Sequence, residues 1–208
     1  GHTSTNVLQG TAENIPLLDS SVASVVAGQS FHWFAGADSL KEISRVLMPG
    51  GTLGLIWNTR DTSVPWVRAI EDIIEPFYKS EMSSDLSDRV PRQQSGEWKD
   101  FFDMAKRQPA DSGDMAGGTS EASLFEPLES KFLNKFDPMT EGELVDLILS
   151  LSVIAAQDSH TQNDVAARVR SILSNDLSVE RKDGGEGSDI ILLPYVTELY
   201  VTSNLKEE

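Results

Sequence analysis

The chain has 208 residues, 17 Lys and Arg against 33 Asp and Glu, and no cysteine, giving a formal charge of −16. At 39% hydrophobic it can bury a core, and the absent thiols exclude disulfides, thiolate metal sites and cysteine nucleophiles. The excess negative charge repels phosphate backbones and anionic membranes, and no basic patch offsets it, so neither nucleic acid nor membrane is an expected partner. No apolar run approaches the roughly 20 residues of a membrane span, and the simple reading is a soluble, cytoplasmic protein. The three histidines, His2, His32 and His160, make no metal-ligand pattern.

In chain order, Val7-Leu8 and Val22–Gly28 are short apolar runs bounded by turn residues, predicting buried strands. Leu40, Ile43 and Leu47 then fall on one helical face with Asp38 as the expected N-cap. Pro49-Gly50-Gly51 stops that helix as a structural turn, and Thr52–Trp57 is the next buried strand. Alternation of strand and helix predicts parallel strands joined by crossovers.

The three- and four-residue spacing of Val67, Ile70, Ile74 and Phe77 predicts a helix over 64–79. Residues 80–123 are rich in Ser, Asp, Gln, Gly and Pro and read as a mobile insertion or cap, with Trp98, Phe101 and Phe102 as its apolar anchor. Leu124–Phe136 reads as a strand, Thr140 and Glu143 as a capping box, and Val165, Val169, Ile172 and Leu173 as the face of a further helix. In the β-rich segment Asp189–Ser203, Pro194 predicts an edge or a bulge.

Two stretches carry a resemblance. Gly10-Thr11-Ala12-Glu13 through Pro16, Val22 and Gln29 to His32-Trp33-Phe34 resembles the G-x-A-E-x-[LI]-P…Q-x-x-H-W-F pattern of class I S-adenosylmethionine-dependent methyltransferases. Their small-molecule type 11 branch, which includes enzymes similar to trans-aconitate methyltransferase, is the nearest. Glu42–Leu53 is similar to that family's E-x-x-R-V-L-K-P-G-G-x-L, with Met48 in place of the lysine. The resemblance implies an α/β fold, a Rossmann-like doubly wound sheet that is mainly parallel with its last strand reversed, and S-adenosylmethionine across the strand ends. It places Thr11, Ala12 and Glu13 beside the adenine and Ala27, Gly28 and Gln29 beside the methionine part. Trp33, Trp57 and Asn58 would line the site of a small-molecule acceptor. His32, with an ordinary pKa of about 6.5, is the candidate base if the acceptor must lose a proton. Arg60 or Arg68 could orient a carboxylate.

The family's glycine-rich G-x-G-x-G turn is not found in the chain, which begins Gly1-His2. Residues 1–208 are therefore expected to be a single but N-terminally truncated methyltransferase domain. Three readings stay open: a fragment of a longer enzyme, a truncated homologue serving binding or assembly, or a catalyst of another reaction on the same fold. An open edge beside Val22–Gly28 predicts self-association.

Overall fold

The computed structural model describes residues 5–81, 95–104, 123–184 and 189–206. Most of the expected cap over 80–123 lies outside the described residues. The elements are β1 (Val22–Gly28), α1 (Ala37–Val46), β2 (Leu47–Arg60), α2 (Pro65–Glu81), α3 (Asp100–Met104), β3 (Glu129–Met139), α4 (Glu141–Leu149), α5 (Ser152–Ala155), α6 (Ser159–Asn175), β4 (Arg181–Asp183) and β5 (Asp189–Ser203). Single 3-10 turns cover Phe31–Trp33 and Glu97–Lys99.

The strands form one sheet in the order β1-β2-β5-β3, with β4 paired to β5. β1 and β2 are parallel, from Val22↔Leu47 to Gly28↔Ile56. Gly50 N donates to Asn204 O and Asn204 N to Gly51 O, while Asp61 N donates to Pro194 O; indices rise on β2 as they fall on β5, so these two are antiparallel. The bonds Glu126 N to Ser203 O and Leu205 N to Leu124 O set the chain entering β3 against β5 in the same sense. β1, β2 and β3 therefore run one way and β5 the other, as the reversed closing strand of a Rossmann-like methyltransferase sheet does.

Several expectations change. Val7 is 94% exposed, and neither it nor Leu8 is in a strand. β1 forms where predicted but as an end strand, so only Ala27 is buried and Val26 is 71% exposed. α1 starts from Gly36 without a side-chain cap, and Asp38 sits in its first turn instead, where a carboxylate faces the helix dipole. Pro49-Gly50-Gly51 does not separate helix from strand. α1 ends at Val46, and the Pro-Gly-Gly run lies inside β2 as a bulge: two steps along β1, from Val22 to Ser24, match five along β2, from Leu47 to Thr52. The predicted strand Leu124–Phe136 is displaced to Glu129–Met139. Pro194 sits in an interior strand; the carbonyl, which proline retains, carries its bond from Asp61.

The chain divides into two compact units. The first comprises residues 1–57, 90–131 and 198–208. Its core gathers Phe31, Leu40, Ile43, Leu53, Leu55 and Trp57 with Trp98, Phe102 and Phe125. The 3-10 turn and α3 that carry Trp98 and Phe102 satisfy the expectation of an apolar anchor. The second unit comprises 58–89 and 132–197 and packs α2, α4 and α6 through Ile70, Ile74, Ile148, Val165 and Val169 with Leu193. α4 begins with the predicted capping box: Thr140 Oγ1 accepts from Glu143 N, and Thr140 N donates to Glu143 Oε2 at 2.8 Å.

Candidate functional site

Elements of the first unit position most of the candidate residues. β1 ends at Gly28, and the next residue, Gln29, has φ of 56°, a left-handed conformation rare for a residue with a side chain. Its amide donates to Ile56 O at 2.8 Å, which holds the turn against β2. The turn stands at the carboxyl end of a parallel strand, the end at which open α/β sheets generally take their ligands. Ala27 and Gly28 lead into this turn, so three of the expected donor contacts are consecutive on one strand end.

The 3-10 turn over Phe31–Trp33 follows directly. Phe31 is fully buried and anchors it, stacking edge-on against Phe34 and Trp98 at 5.3 and 5.9 Å. His32 is half-buried between Trp33, at a ring separation of 5.1 Å, and Trp57, at 6.3 Å. Trp57 Nε1 donates to His32 Nδ1 at 3.2 Å. Burial holds the imidazole below its ordinary pKa, since desolvation disfavours the cation. Trp33 is largely exposed, whereas Trp57 is 1% exposed and packs on Trp98 at 4.9 Å and Tyr200 at 6.0 Å. Trp57 thus reaches the site through its indole N–H.

The other side of this aromatic cluster is polar. Lys99 Nζ donates to Tyr200 OH at 3.2 Å, and that hydroxyl donates to Glu198 at 3.1 Å. Burial first, then the Glu198 charge, pushes the Tyr200 phenol up to about 12.

Thr11–Glu13 lie on a separate turn. Thr11 and Asn14 exchange backbone hydrogen bonds at 3.3 and 3.2 Å, leaving Ala12 and Glu13 at the tip. Gly10 and Thr11 border a surface depression of about 290 Å³ with Asn6, Leu8, Ile15 and Pro16. A Cβ on Gly10 would stand 2.6 Å from Pro16 Cδ and 2.9 Å from Asn14 O, so the turn closes only over glycine.

Sequence reasoning missed what fixes this segment. Glu42 Oε1 accepts Ile15 N at 2.7 Å, and Arg45 donates to Leu17 O at 2.9 Å and Ile15 O at 3.0 Å. Arg45 also pairs with Glu42 and Asp19. The hydrogen bond from Arg45 chiefly, with that from Ile15, holds the Glu42 carboxyl below its usual range. The E-x-x-R part of the second motif therefore grips the loop that follows the first motif. The i, i+3 spacing was the available signal, since it puts both side chains on one face of α1.

The second unit holds the remaining candidates. Asn58 Oδ1 accepts from Thr197 Oγ1 at 2.7 Å. Arg60 is committed to an ion pair with Glu71, and Arg68 donates to Thr62 Oγ1 at 3.2 Å. Among the described residues no group of His, Asp and Glu could hold a metal ion.

Residues 1–55 match the methyltransferase domain family. An uncharacterised methyltransferase of Mycobacterium tuberculosis is 31% identical over 193 residues, 93% of this chain and 63% of that protein. The chain is thus similar to methyltransferases over nearly all of its length. An uncharacterised methyltransferase-like protein of Schizosaccharomyces pombe is 43% identical over 93 residues, 45% of this chain and 33% of its own. A crystal structure from Anaeromyxobacter dehalogenans, described as a type II methyltransferase, has the same fold at 14% identity, with a TM-score of 0.52 over 96% of this chain and 71% of that one. The chain thus spans from 33% to 63% of the length of those two curated relatives. No helix among its described residues is long and apolar enough to cross a membrane.

Proposed function

We propose that this chain forms part of an S-adenosylmethionine-dependent methyltransferase acting on a small molecule. The observation that carries the reading is the strained Gln29 turn at the end of β1, followed at once by the His32–Trp57 hydrogen bond. It supplies exposed backbone and a shaped polar edge where a parallel sheet takes its ligand.

The residues present suit the donor. Gly10 and Thr11 border a depression whose Ile15 and Leu17 are tied by backbone to Glu42 and Arg45, and the strand end Ala27, Gly28 and Gln29, the first two of them small, is read as facing its methionine part. When bound, S-adenosylmethionine supplies an electrophilic methyl on a sulfonium that carries its own leaving group. The protein's part is then to hold the acceptor atom in line with the methyl and to keep water away. Thr11, Ala12 and Glu13 are read as adenine neighbours, and His32 and Trp33 as the acceptor side, with buried Trp57 acting through its hydrogen bond to His32.

Calorimetric titration with S-adenosylmethionine tests this reading on the chain and on a version extended upstream. Saturable binding by either supports it, and heat absent from both overturns it. A second reading, assembly through self-association, is favoured by Val26, 71% exposed on the end strand β1. Light scattering that returns a monomer mass at high concentration counts against it.

A further inference from the structure

A neutral imidazole has one N–H and one lone pair, on opposite nitrogens, and an indole nitrogen can only donate. The 3.2 Å bond from Trp57 Nε1 therefore engages the lone pair on His32 Nδ1 and leaves the ring proton on Nε2. Trp57 has little freedom to turn away. Its ring lies in the first unit's core against Trp98 and Tyr200, and β2 fixes its backbone. Trp33 covers His32 from the next position in the same turn. His32 Nε2 has no hydrogen-bond partner among the described residues.

We infer that His32 is locked as the Nε2–H tautomer and acts as a neutral hydrogen-bond donor that orients an acceptor molecule through an oxygen lone pair, as on a carboxylate or carbonyl. In this state it has no lone pair left to take a proton. A base role would require breaking the Trp57 bond first, because a proton on Nδ1 would face the indole N–H. Methylation assisted by His32 thus proceeds without proton abstraction by this residue. It suits a carboxylate, whose oxygen is nucleophilic without losing a proton. The class of molecule oriented rests on the methyl-transfer reading above, whereas the tautomer rests on the hydrogen bond alone.

Long-range proton–nitrogen NMR on the uniformly ¹⁵N-labelled chain reads both statements, with the His32 signals assigned by their loss in His32→Gln. At neutral pH the expected pattern is a pyridine-type Nδ1 and a pyrrole-type Nε2, giving way to mixed tautomers in Trp57→Phe. A pyrrole-type Nδ1, or an averaged pair in the unsubstituted chain, overturns the assignment; that spectrum decides even if Trp57→Phe does not fold. Acetate should shift the Nε2 resonance in a saturable way, while ethylammonium at equal concentration should not. No response to acetate, or the same response to both, overturns the donor role. Failure to bind S-adenosylmethionine would overturn the methyl-transfer reading and leave the tautomer result standing.

Discussion

Asn204 is 2% exposed and holds together three parts of the first unit. Its Oδ1 accepts from Ser44 Oγ at 2.8 Å, and its Nδ2 donates to Ser44 O at 3.1 Å and to Leu47 O and Met48 O at 3.3 Å. Those carbonyls belong to the last turn of α1 and the opening of the β2 bulge, where the helix no longer supplies partners. The two amide hydrogens are shared among three carbonyls, and the oxygen takes one short bond from Ser44 and a long one from Lys206 N at 3.4 Å; counting one bond per hydrogen and the short one to the oxygen, Asn204→Ala should cost about 3 kcal/mol at about 1 kcal/mol each. For a chain of this length that corresponds to a fall in Tm of roughly 6–12 °C. Urea unfolding followed by tryptophan fluorescence measures it. Ser44→Ala alone should cost about 1 kcal/mol, and the double variant should fall short of the sum by about the same amount, since the two share one bond. A shift below about 0.5 kcal/mol for Asn204→Ala, or strict additivity in the cycle, would refute the bond count.

Gln29→Gly should stabilise the protein by about 0.5–1 kcal/mol in thermal melts by releasing the left-handed strain, and an unchanged or lower Tm would refute strain at that turn. Gly51→Ala should destabilise by about 2 kcal/mol, because its Cβ would meet Met48 O at 2.9 Å and Ala23 O at 3.1 Å; urea midpoints check this. Glu42→Gln weakens the grip on the loop, and hydrogen exchange at the Ile15 amide should quicken by about tenfold while β2 amides stay protected. His32 protonates less readily when folded than at its ordinary 6.5, so its neutral form is favoured by folding. That contribution is intact above pH 6.5, is lost as pH falls through this value, and levels off below the depressed folded pKa. Between pH 7.5 and 5.5 the unsubstituted chain should therefore lose more stability than His32→Gln, and parallel stability curves would exclude the effect.

What could be read from the chain alone was local. The Thr140–Glu143 box needs only a three-residue spacing, and both side chains bond as that spacing requires. The apolar faces of α1 and α6 follow one helical period, and both helices form within a few residues of expectation. The two motifs located the strand ends because they sit beside them. Properties set by distant partners were not legible. Nothing in Pro49-Gly50-Gly51 tells a turn from a bulge; the difference lies in the register shift between Val22 and Ser24 on one side and the bonds to Asn204 on the other. Val22–Gly28 has the apolar content of a buried strand, but exposure depends on its place in the sheet order. His32 and Trp57 are 25 positions apart, and only the parallel register of β1 and β2 brings indole and imidazole together.

The discontinuous make-up of the first unit has a consequence for the order of folding. The bond between Ser44 and Asn204 closes a span of 160 residues, and residues 198–208 are the last of its three segments to be made. At about 5–20 residues per second, synthesis leaves roughly 8–30 s between the emergence of the two partners. The second unit needs nothing beyond residue 197, so its pieces are all available first. During the interval the apolar side chains of β2, Leu53, Leu55 and Trp57, wait for Tyr200 and its neighbours to reach them. Such a nascent chain presents a strand without its partner, which is the form that holding chaperones bind.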